Sequence, residues 1–189
     1  RSEPAAVICR GVLVTAIVSK ADLAEAAAEA VWVCRVAEFT RWVGAGRKLT
    51  QTGRLTLAHA RDLVVRLDTG DVLDERIGNR VFRTTSSEEL RELNAVVEWA
   101  KAARLVRVVG GKVVAVKKNA GLLDRPLALW ERMFEVFGSV GPAICRSGRA
   151  ESMLRYDFPE GMQIALAWIY AHEGPVELAV VCSGIWDIM

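Results

Sequence analysis

Gly110-Gly111 stands between two runs of β-branched residues, Leu105 to Val109 and Lys112 to Val116. Glycine takes a positive φ at no steric cost, so a glycine pair between such runs closes a two-residue hairpin turn. The spacing predicts a β-hairpin over 104–118. Upstream, Leu90, Leu93, Val96, Val97 and Ala100 recur at helical spacing, and Ser86 stands three residues before Glu89, the spacing of a capping box. The stretch from Ser86 to Ala103 is therefore read as a helix running directly into the hairpin.

The remaining chain is read around this pair. Pro4 to Val18 is apolar almost all round and is expected as a buried helix. A helix capped by Ser19 or Asp22 is expected to reach Val43, with Gly44 and Gly46 ending it. Arg47 to Leu57 reads as short extended arms around Gly53. Ala58 to Leu67 is a helix that Thr56 can cap, and Arg80 to Arg83 is a short extended piece. Pro126 suits the first turn of a helix ending near Phe137, and 138–148 is rich in glycine and proline and is read as a linker. Two further helices over 159–171 and 176–188 close the chain.

Two segments echo each other. Trp42, Ala45 and Arg47 repeat at the spacing of Trp99, Ala102 and Arg104. Each set follows a helix and leads into a glycine-centred turn. A helix running into a basic hairpin is the layout of a winged helix, so the fold class expected is helix-rich α+β, with tandem winged-helix-like units and small β-hairpins. The units expected are 1–84 and 85–138, followed by a linker and a helix-turn-helix pair over 139–189. The run Leu49-Thr-x-x-Gly53-x-Leu55-x-Leu57-Ala-x-Ala60-Arg61, with Glu98-Trp-Ala-Lys-Ala-Ala-Arg-Leu-Val106, resembles uncharacterised actinobacterial proteins of winged-helix type. The resemblance covers roughly 38–137 and implies a fold; it carries no activity over.

A net charge of +2 argues for no partner, so only the distribution of charge informs. From Arg41 to Arg61, and again from Arg104 to Lys118, there are basic residues and no acidic one. Between them, Asp62 to Glu98 holds nine acidic residues against five arginines. Arg47, Lys48, Arg54, Arg107, Lys112, Lys117 and Lys118 are thus the candidate nucleic-acid contacts, because phosphates are held by such charges through counterion release. Exposed hairpins also need charge to protect their edges. The acidic residues of 86–103 argue against that helix entering a DNA groove. Two functions stay open: a non-enzymatic nucleic-acid binder with basic wings, and a protein–protein adaptor whose winged-helix units do not bind DNA.

The sequence has no G-x-S-x-G, P-loop, G-x-G-x-x-G or H-E-x-x-H pattern, so the reading leans away from an enzyme, and no cofactor is expected. Asp68, Asp71, Asp74 and Glu75 fit no cation loop and read as turn or solvated residues, and His59 reads as a surface histidine. Cys9, Cys34, Cys145 and Cys182 form no C-x-x-C pair, so no metal site is expected. Each lies in an apolar run and reads as a reduced, buried thiol of a cytoplasmic protein. No apolar run reaches the roughly 18 residues of a membrane span.

Overall fold

The computed structural model describes residues 19–144, 146–147, 150–151, 154–172 and 177–188. The fold is helix-rich α+β with small antiparallel sheets, the class expected. The helix expected over Pro4 to Val18 lies outside the described residues.

Two helices, α1 (Lys20–Glu29) and α2 (Val31–Val43), replace the single one expected. Ala30 breaks them apart with an extended ψ of 114°. Ser19 caps α1 in a capping box with Asp22. Strand β1 (Arg47–Lys48) follows, then α3 (Leu57–Leu67), capped by Thr56. Strands β2 (Glu75–Ile77) and β3 (Arg80–Phe82) form a hairpin of their own. The helix expected over 86–103 splits at Leu90 into a 3-10 turn, Ser87–Glu89, and α4 (Arg91–Ala102). The capping box predicted at Ser86 and Glu89 forms on that turn.

Strands β4 (Val106–Val109) and β5 (Lys112–Ala115) pair around Gly110 and Gly111, both at positive φ, as the glycine pair predicts. The strand pairing joins what the sequence reading kept apart. Strand β1 pairs with β5, giving one sheet in the order β1-β5-β4. The basic stretch around Arg47 therefore builds no separate wing: its turn closes a single bridge between Leu49 and Leu55. Gly46 permits the join. It has φ +138°, and a Cβ there would sit 3.0 Å from the Val114 side chain.

A 3-10 turn, Lys117–Leu122, leads to α5 (Pro126–Glu135), with the proline in its first turn as expected. The stretch read as a linker is instead helix α6 (Phe137–Ile144), which packs on α4 and α7. Adding a Cβ at Gly141 would drive it into the Phe158 ring, so this glycine is a contact point rather than a hinge. The β6–β7 pair (Arg146–Ser147 with Ala150–Glu151), α7 (Leu154–Ala171) and α8 (Leu178–Ile188) complete the described chain.

One hydrophobic cluster holds α2 to α5 and the sheet together. Val36 and Phe39 of α2, Leu63 of α3, Leu93 and Val96 of α4, and Leu105 and Val113 of the hairpin region are fully buried within it. Each such side chain contributes about 1.5–3 kcal/mol by leaving water. Trp99 contacts Trp32 and Phe137 and donates from Nε1 to the Met133 carbonyl at 2.9 Å.

Candidate nucleic-acid interface

Cross-strand partners in an antiparallel sheet point to the same face. Val113 and Val106 are buried, so their face is the inner one. Arg47 is the partner of Val113, and it falls on that inner side. Its Nε donates to the Trp42 carbonyl at 3.0 Å and its guanidinium lies 4.7 Å from the Trp42 ring centroid. Lys48 is the partner of Lys112, which also faces Val109, and Arg107 is the partner of Val114. Lys48, Lys112 and Arg107 therefore share the outer face, and all three are exposed. Among the described residues none of the three has a carboxylate within ion-pair distance.

A groove of about 650 Å³ lies along β4, with Val106, Arg107 and Val108 in its wall. Arg104, Arg107, Lys118, Lys101 and Arg132 line it, together with Asn119, and among the described residues no carboxylate does. Lys101 pairs with Glu98 at 2.7 Å and Arg132 with Glu135 at 3.0 Å, both outside the lining. Arg104 holds a left-handed φ of +56°. Its N–H donates to the Lys101 carbonyl and the Leu105 N–H to the Ala100 carbonyl, closing the end of α4 as glycine usually does. The Asn119 amide donates to the Arg104 carbonyl at 2.8 Å and fixes that turn.

The structure thus brings Lys48, Arg107 and Lys112 onto one sheet face, and Arg107 also lines the groove with Lys118. Lys117 is exposed but does not line the groove. Two other candidates stand apart from it: Arg47 is exposed but lies against Trp42, and Arg54 is ion-paired with Glu88. Arg104 was not among the candidate contacts, although it opens the basic stretch that runs to Lys118.

The acidic stretch of 62–98 is largely engaged in structure. Asp62 accepts from Trp42 Nε1 at 3.2 Å. Asp71 accepts the Glu92 and Leu93 amides at 3.1 and 2.9 Å, capping α4 from a distant loop where Leu90 offers no side-chain cap. Asp74 forms a two-pronged ion pair with Arg61, 2.7 and 2.8 Å, and accepts the Thr84 amide. The Arg61 hydrogen bonds, then the Thr84 amide, hold its pKa down at about 2. Hydrogen bonds from Thr85, and then Ser86, lower that of Glu89. Glu88 and Glu98 are paired as above, so with Asp74 three of the nine acids are offset by a cation, and Asp62, Asp71 and Glu89 are held by neutral donors.

Helix α4 itself is covered. Of its residues Arg91 is exposed, Leu93, Ala95, Val96, Val97 and Ala100 are buried, and the others are half-buried. His59 is a correction to the surface reading: it is half-buried, edge-on to Trp42 with ring centroids 5.2 Å apart. Cys34 and Cys182 are exposed rather than buried, and free among the described residues; Cys9 and Cys145 lie outside them. Among the described residues no three metal-ligating side chains gather, and no helix is long and apolar enough to cross a membrane.

The chain matches no protein-family model, no curated protein and no solved structure. The functional reading therefore rests on the molecule's own strands and charges.

Proposed function

We propose that the chain binds nucleic acid through its phosphate backbone, using the outer face of the β1-β5-β4 sheet and the groove beside β4. The order α2-β1-α3-β2-β3-α4-β4-β5 supports a single winged-helix unit, with the β2–β3 hairpin inserted between α3 and α4 and β4–β5 as its wing. The observation that carries the reading is the strand register that sets Lys48, Lys112 and Arg107 on one exposed face. Such a face recognises phosphates without reading bases. The coverage of α4 supports the same restriction, because a helix that reads a groove must present its side chains to it. The exposed thiol of Cys34 suits a reducing compartment such as the cytoplasm.

The test is a fluorescence-anisotropy titration of random-sequence duplex and single-stranded DNA at several salt concentrations. Binding should be similar across sequences and fall steeply with salt. A protein-adaptor role is the second reading. It is favoured by an exposed apolar groove of Phe134, Leu166, Ala167, Ile169 and Tyr170 between α5 and α7.

A further inference from the structure

The hairpin β2–β3 stands between α3 and α4 and is exposed at all six strand positions. A two-stranded ribbon by itself is marginal in water, so something must hold it. Its base is clamped. Asp74 donates its N–H to Thr84 Oγ1 at 3.0 Å and accepts the Thr84 N–H at 2.9 Å, while Arg61 grips the Asp74 carboxylate. Asp74 keeps a left-handed φ of +52° to make these bonds. Thr84 is buried, so the clamp belongs to the body and the ribbon projects from it.

The ribbon carries Arg76 and Arg80, and Arg83 follows at its exit. Among the described residues none of the three has a carboxylate within ion-pair distance, and Glu75 is the ribbon's one acidic residue. The register puts Glu75, Phe82, Ile77 and Arg80 on one face and Val81 with Arg76 on the other. Ile77, Val81 and Phe82 are each more than half exposed. Arginines interleaved with exposed apolar side chains on a narrow two-stranded arm match what a duplex groove admits: arginines meet phosphates and groove edges, while apolar side chains press on sugars or base steps.

We infer that the β2–β3 hairpin is a second nucleic-acid-binding arm, and that it grips duplex. The inference rests on the nucleic-acid reading above and adds the form of the ligand and a second set of contacts. The arm leads into the N-terminal end of α4, where Arg91 is exposed, and the β4–β5 wing follows the C-terminal end. The two basic hairpins thus bracket a helix that need not enter the groove.

The test compares the full chain with two variants on the same labelled 25-base-pair duplex and on its single strand. One variant is Arg76→Gln/Arg80→Gln/Arg83→Gln; the other is Phe82→Thr, which keeps every charge. The arginine variant should bind duplex at least about tenfold more weakly, with a salt slope shallower by roughly 2–3 units, at about 0.9 per lost phosphate contact. Phe82→Thr should weaken duplex binding while leaving the slope unchanged. Single-strand binding should change little in either. If both variants bind duplex like the wild type while Lys48→Gln/Lys112→Gln does not, the arm is wrong and the sheet-face reading stands. If Phe82→Thr instead dissolves a self-association seen by sedimentation, the ribbon is an interface between copies and the inference fails. If the wild type binds no nucleic acid at low salt, both readings fall.

Discussion

Lys48 and Lys112 face each other as register partners across β1 and β5, two exposed cations directly opposite on one sheet face. Like charges in that position are destabilising. The arrangement makes physical sense if an anion completes it. Lys112→Glu should replace repulsion with attraction and raise unfolding stability by about 0.2–1 kcal/mol. The same change should weaken DNA binding. A urea melt and an anisotropy titration on one preparation check both halves, and a variant that is less stable would contradict the register.

Arg104 invites a similar trade. A non-glycine residue at φ +56° costs roughly 1 kcal/mol against glycine. Glycine also loses more backbone entropy on folding, so Arg104→Gly should leave stability unchanged or raise it by less than about 1 kcal/mol. Polyanion binding should fall, because Arg104 lines the groove with Arg107 and Lys118. Loss of more than about 1 kcal/mol in a denaturant melt would show that its side chain serves the fold.

Asp71 caps α4 from a loop that precedes it by two strands. Asp71→Ala should cost about 1–2 kcal/mol, the range for losing a helix cap, and Asp71→Asn should cost less. Chemical denaturation measures it. An unchanged midpoint for the alanine variant would rule out the cap.

Asp74 sets an acid limit. Its pKa is held at about 2, against 3.8 for an ordinary aspartate, first by the Arg61 hydrogen bonds. A lowered folded pKa gives stability that is present above the unfolded value and lost as pH falls toward the folded one. The gap in Tm between wild type and Asp74→Asn should therefore be constant near neutral pH and close between about pH 4 and pH 2. A gap that ignores pH in this window would contradict the ion pair's role.

The local signals in the sequence were readable because they act over a few residues. Gly110-Gly111, the box of Ser86 with Glu89, the Thr56 cap and Pro126 all did what their chemistry requires. What stayed illegible is non-local. Strand β1 is two residues long, too short for any period, and its partner is β5, far along the chain. Without that pairing the echo of Trp42 and Trp99 looks like two wings rather than one sheet. The ribbon β2–β3 was hidden by charge counting. Arg76, Arg80 and Arg83 appeared outweighed by acids, yet Asp71, Asp74, Glu88 and Glu89 are engaged by α4, Arg61, Arg54 and the turn at Thr85. The helix across Gly138, Gly141 and Pro142 was missed because its glycines serve close packing rather than flexibility.

If the outer sheet face grips phosphates, as proposed, duplex binding must depend on salt through Lys48, Arg107 and Lys112. Wild type and Lys48→Gln/Arg107→Gln/Lys112→Gln should be titrated by anisotropy across a salt series. The variant should stay folded, since exposed substitutions usually change stability by no more than about 0.5 kcal/mol each. It should bind more weakly, with a slope of log K against log salt shallower by roughly 2–3 units. A variant with the wild-type affinity and slope, or a wild type whose binding ignores salt, would contradict the phosphate grip.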